Sequence, residues 1–108
     1  MKLNKLRNND EVTEEYFVNH PDEIDDFVTE CFEEYCLDGD SAALLSQLRI
    51  IARVKGVSTI ADKVGITRQG VQKALSGKGN PRFDNITAIM GAMGYQLLPH
   101  PIPLHPNI

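Results

Sequence analysis

The chain has 108 residues, 42% of them hydrophobic, and a formal net charge of −4, which fits one small domain with a modest core and excludes wholesale disorder. No run of about 18 apolar residues occurs, so no membrane span is expected. The opening "MKLNKLRNND" lacks the apolar stretch of a secretory signal, so a cytoplasmic protein is expected. The net charge averages two unlike regions: residues 1–40 hold three basic and thirteen acidic groups, net −10, and residues 41–108 hold eight basic and two acidic ones, net +6. The basic region suits a polyanion. The acidic one suits a basic protein partner, or is a solvated helix face.

In chain order, residues 1–19 are weakly patterned, with a short helical turn expected at "VTEEYFV". From Asn19 the signals sharpen. Asn19 or His20 is placed to cap, Pro21 suits a first turn, and Asp22 and Glu23 complement the helix dipole. Ile24, Phe27, Val28, Cys31, Phe32 and Tyr35 recur at spacings of three and four, which predicts an amphipathic helix ending near "LDGD". Cys31 and Cys36 stand five apart, a spacing that fits neither a CxxC redox pair nor a zinc knuckle, so both are expected to be reduced thiols. His20, His100 and His105 have no partners at metal spacing and are expected not to be ligands.

Asp40 or Ser41 starts a second helix with Leu44, Leu45, Leu48, Ile51 and Ala52 inward, and Gly56 ends it. Ser58 is expected to cap a very short helix, "STIADKV". Gly65 makes a turn, and Thr67 caps a helix running to about Leu75, closed by Ser76 and Gly77. After the loop "GKGNP", a last helix runs from about Phe83 to Met93 with Ile86, Ile89, Met90 and Met93 inward. "YQLL" reads as a short extended segment and "PHPIPLHPNI" as a proline-rich tail. These elements predict an all-α domain of about five helices, divided into an acidic N-terminal region at 1–40, a DNA-binding domain at 41–98 and a tail at 99–108.

Residues 57–76 satisfy a helix-turn-helix pattern position by position. Ala61 is the small residue needed where two helices cross, Gly65 sits in the turn, and Ile60, Val64, Ile66, Val71, Ala74 and Leu75 fill the inner positions. At about 100° per residue, Val71, Ala74 and Leu75 face one side of the second helix. Gln69, Gln72, Lys73 and Ser76 face the other, with Arg68 at its border. The start of such a helix points into the major groove, so Arg68, Gln69 and Gln72 are the expected base contacts; arginine pairs with guanine and glutamine with adenine. Thr67, Lys73, Ser76 and Lys78 are better placed for phosphates, and Arg82 adds another. Gly70 costs roughly 1 kcal/mol against alanine in a helix interior. Close approach of the preceding helix or of a phosphate backbone would explain it, as would a tolerated imperfection. No nucleophile–base set or metal spacing points to an enzyme, and no cofactor is expected.

"VGITRQGVQKALSGKGNP" followed by "FDNITAIMGAMGYQL" resembles the DNA-binding region of lambda-repressor-like (Xre-type) proteins, whose namesake also has a Gly-Val pair at the place of Gly70–Val71. More specifically, residues 15–98 are similar to HigA-like addiction-module antidote proteins, through the "ARVKGVS" junction, the "GITRQGVQKAL" helix, the "GNPRF" loop and the preceding acidic "HPDEIDDFVTECFEEY". The resemblance implies a lambda-repressor-like fold and a homodimer on double-stranded operator DNA. It also implies a type II antitoxin that represses its own operon and neutralises a basic RelE/ParE-like toxin. Many Xre domains begin the first motif helix with a phosphate-holding glutamine; here Ser58 and Thr59 stand near that place as backbone contacts. The apolar stripe Ile24, Phe27, Val28 and Phe32 packs either on a toxin or on its own domain. The alternatives are a stand-alone phage-type regulator without a toxin, and an interaction module that no longer binds DNA.

Overall fold

The computed structural model describes residues 9–103. Residues 1–8 and 104–108 lie outside the described part, and with them Lys2, Lys5, Arg7, His105 and the end of the proline-rich tail. The described residues form α1 Asn9–Asn19, a 3-10 turn Pro21–Glu23, α2 Ile24–Asp38, α3 Ser41–Lys55, α4 Val57–Val64, α5 Arg68–Ala74 and α6 Phe83–Ala92. They contain no strand and are all-α, and none of their helices is long and apolar enough to cross a membrane.

The N-terminus departs most from the expectation. Residues 9–19 form a full helix, not a turn, and α1 lies against α3. Its own pattern is weak because only Phe17 is buried. What orders it is long-range. The Phe17 ring stands 4.6 Å from that of Phe27 on α2. The Arg53 Nε donates to Glu14 Oε1 at 2.8 Å, and the Arg49 guanidinium lies 3.7 Å from the Asp10 carboxylate. The following turn is braced by Tyr16, whose hydroxyl donates to Glu23 at 2.7 Å and whose ring stacks on His20 at 4.1 Å. Neither expected cap forms. The His20 Nδ1 pairs with the Tyr16 carbonyl at 2.8 Å, and the Asn19 amide donates to the Glu15 carbonyl at 3.1 Å. Both side chains thus close the end of α1 and leave the start of the next element uncapped.

The expected stripe on α2 lies on the molecule's own core. Ile24, Val28 and Cys31 are buried in it, and Phe27 and Phe32 pack against it half-buried. The Cys31 thiol is pushed up to about 11, first by burial and then by Glu34 and Glu30. Cys36, by contrast, is exposed. Since the thiolate is the reactive form, a thiol reagent at pH 8 is expected to titrate one cysteine rapidly. The second is expected to react only in denaturant, and two fast equivalents would contradict this placement of Cys31.

The Asp40 carboxylate accepts the Ala43 N–H at 3.1 Å and caps α3, the central helix. All five positions expected inward on α3 are buried. Ile50 is buried too, although helical spacing puts it nearly opposite Leu48. With α1, α2 and α4 all packed on it, α3 is covered on more than one face. Gly56 ends α3 and directly precedes α4, so α4 starts one residue earlier than expected, at the buried Val57. Ser58 therefore falls inside the first turn and makes no cap bond. On α6, Ile89, Met90 and Met93 are buried as expected and Ile86 is half-buried. "YQLL" lies outside regular secondary structure, but Tyr95 and Leu97 pack on the core. The Tyr95 hydroxyl donates to Asp25 at 2.5 Å, tying this segment to α2.

Candidate nucleic-acid interface

Two short helices, α4 and α5, are joined by a turn at Gly65. With φ +85 it occupies the left-handed region that costs other residues about 1–2 kcal/mol. The N–H groups of Gly65 and Ile66 both reach the Ala61 carbonyl, at 2.8 and 3.1 Å, and close α4. The chain then runs extended through Thr67, whose hydroxyl accepts the Gly70 N–H at 2.9 Å and caps α5. Val71 and Leu75 are fully buried, in one cluster with Ile60 and Ala61 of α4, and Val64, Ile66 and Ala74 are half-buried around them. One face of α5 is thereby fixed in the core, and the other is left to solvent.

On that outer face Arg68, Gln69 and Gln72 are exposed and line a single open depression. The three residues expected to meet base edges thus converge on one spot. Lys73 and Lys78 are exposed as well, and neither forms an ion pair with any described residue. Ser76 is half-buried, and its hydroxyl accepts the Lys78 N–H at 3.2 Å, so it shapes the loop. Thr67 is engaged as the cap. Ser58 and Thr59 are exposed in the first turn of α4 and do not line the depression. Arg82 is held by Asp84 through two bonds, Nε to Oδ1 at 3.0 Å and Nη2 to Oδ2 at 2.9 Å. That bonding keeps the exposed Asp84 carboxyl below its ordinary range. A phosphate at Arg82 must compete with this carboxylate.

Gly70 has tight neighbours, but they belong to the turn and not to α4. A Cβ there would stand 3.2 Å from the Thr67 Oγ1 and 3.5 Å from the Ile66 Cδ1. Its small size keeps clear the hydroxyl that starts the helix. Close approach of the preceding helix is therefore not the reason for the glycine.

Two residues beside this site were not expected. Arg49 of α3 donates from Nη1 to the carbonyls of Leu75 and Ser76, at 3.2 and 3.0 Å. The only local signal was a basic residue between the buried Leu48 and Ile50. Asp84 was visible two residues after Arg82, yet nothing in the spacing said that the two would pair. The acidic region also has an internal partner: Glu14 and Asp10 engage Arg53 and Arg49, which sets two cations of the basic region against carboxylates.

A family model described as "probable addiction module antidote protein" matches residues 10–101. A Haemophilus influenzae relative named "Uncharacterized protein" is 47% identical over 53 residues, covering 49% of this chain and 55% of that one. The chain thus spans about half the length of that curated relative. No solved structure matches. With the matched span taking in every described helix from Asp10 onward, the chain belongs to the family of addiction-module antidote proteins.

Proposed function

We propose that this antidote is a DNA-binding antitoxin of the HigA-like kind. A homodimer binds operator DNA through α4 and α5, used as a lambda-repressor-like helix-turn-helix, and represses its own operon. The observation that carries this reading is the convergence of exposed Arg68, Gln69 and Gln72 on one depression of α5, whose opposite face is locked by Val71 and Leu75. Arginine and glutamine are the side chains that pair bidentately with guanine and adenine. Lys73 and Lys78, and Arg82 once released from Asp84, supply phosphate contacts that set register. The role is binding, with no catalysis.

The antidote family implies a toxin partner, and we assign it the chemistry of a basic RelE/ParE-like protein. Ile24 and Val28 are buried in the antitoxin's own core, so the partner contact falls to outward acidic residues such as Asp26, Glu30 and Glu33, which are exposed on α2. The test is whether a short reading frame encoding a basic protein adjoins this gene, and co-expression with its product. Toxicity of that product alone, relieved by this protein, is expected. A harmless product leaves the stand-alone regulator.

On DNA, Arg68→Ala is expected to cost about 1–3 kcal/mol and to relax base preference, whereas Lys78→Ala weakens all sequences alike. A mobility shift with promoter and unrelated fragments reads both effects. Equal loss on the two fragments for Arg68→Ala would remove it from base reading.

A further inference from the structure

We infer that Arg49 is a positioning residue for DNA reading, an inference that rests on the DNA-binding role of α5. Arg49 belongs to α3, outside the α4–α5 pair, yet its guanidinium terminates α5. The Nη1 donates to the Leu75 carbonyl at 3.2 Å and to the Ser76 carbonyl at 3.0 Å. Leu75 is the C-cap of α5 and Ser76 follows it, so the guanidinium sits at the helix end, where a cation also complements the dipole. At seven residues, α5 is far below the length at which a helix stands alone in water, so its orientation is set by what holds its two faces and its ends. Val71 and Leu75 hold one face and Thr67 holds the start. Arg49 holds the finish.

The same clamp reaches the loop that carries Lys78. Ser76, whose carbonyl Arg49 grips, also accepts the Lys78 N–H on its hydroxyl. The next residue, Gly77, lies so close to α3 that a Cβ would stand 3.1 Å from the Ala42 carbonyl oxygen. The end of the reading helix and the first phosphate-facing loop are thus both seated on α3, with one guanidinium at the joint. On its other side that guanidinium lies 3.7 Å from Asp10 of α1, a partly exposed pair that adds little by itself. A lysine at this position keeps the charge but has one nitrogen on a shorter stem, so it lacks the fork that sets Nη1 on the two carbonyls while Nη2 faces Asp10.

The experiment compares wild type, Arg49→Lys and Asp10→Asn on a promoter fragment and an unrelated fragment at one salt concentration, with thermal melts to establish the folded fraction. Amide exchange of Leu75 and Ser76 is followed alongside. Arg49→Lys is expected to stay folded and to bind promoter about tenfold more weakly, as fits the loss of one charge-assisted bond. Its affinity for unrelated DNA should fall less, by no more than about threefold, because the loosened loop shifts Lys78 alone among the phosphate-facing charges. The Leu75 and Ser76 amides should exchange faster. Asp10→Asn should remain within about threefold of wild type on both fragments. Promoter binding by Arg49→Lys at wild-type strength, or an equal loss on both fragments, would overturn the inference. If the wild type itself shows no preference for promoter DNA, the DNA-binding reading falls and this inference with it.

Discussion

Phe17→Ala is expected to lower the free energy of unfolding by about 3–5 kcal/mol, the range for deleting a buried aromatic side chain. Phe17 is the buried anchor of α1, and its ring stands 4.6 Å from Phe27, in the same cluster as Leu48 and Ile51. Removing it leaves a cavity between the acidic helices and α3. The two ion pairs to Arg49 and Arg53 do not compensate, because partly exposed pairs are worth about 0–1 kcal/mol each. Chemical denaturation should show one cooperative transition displaced to lower denaturant. A loss of under about 1 kcal/mol, the size of an ordinary surface substitution, would instead make α1 an appendage.

Gly77→Ala should be nearly as damaging, at about 2–5 kcal/mol, from two separate causes. Its φ of +83 is strained for any residue with a Cβ, by about 1–2 kcal/mol. The added methyl also meets the Ala42 carbonyl oxygen at 3.1 Å and the Ser46 Oγ at 3.2 Å. The serine can rotate away, but a carbonyl inside α3 cannot, so the loop must lift; such overpacking costs about 1–3 kcal/mol. Gly79 is the control. It has a similar φ of +74 but open space around it, so Gly79→Ala should cost the strain alone, about 1–2 kcal/mol. Equal losses at the two positions would mean that the loop does not rest on α3. DNA affinity of the folded fraction of Gly77→Ala should fall too, since the loop carries Lys78.

Much of this arrangement was legible in the residues because its causes are local. The spacing of Ile24, Val28 and Cys31 gave α2, and that of Leu44, Leu48 and Ile51 gave α3. Thr67 as cap and Val71 with Leu75 as the inner face followed from capping chemistry and from a period of 3.6. Those positions in turn put Arg68, Gln69 and Gln72 on the outside. What escaped was set by partners far away in sequence. The helix α1 has little pattern of its own and is ordered by contacts with residues 39 positions on, as between Glu14 and Arg53. The Arg49 bonds span 26 and 27 positions. The stripe on α2 announced that it would be buried, but a stripe carries no information about which surface buries it. The cap expected at Ser58 failed for a smaller reason: α4 begins directly after Gly56, and helix boundaries shift by a residue without changing the pattern.

We propose that the outward face of α5 reads DNA sequence. Anisotropy of labelled promoter DNA, titrated with wild type and with the folded Arg68→Ala/Gln69→Ala/Gln72→Ala variant at several salt concentrations, tests it most directly. Wild type should bind with log affinity falling linearly with log salt, as phosphate contacts require, and should outcompete an excess of unrelated DNA. The triple variant should retain weak, salt-dependent binding through Lys73 and Lys78 and lose all preference for the promoter. A variant that still prefers the promoter, or a wild type that binds no DNA at low salt, would contradict sequence reading by α5.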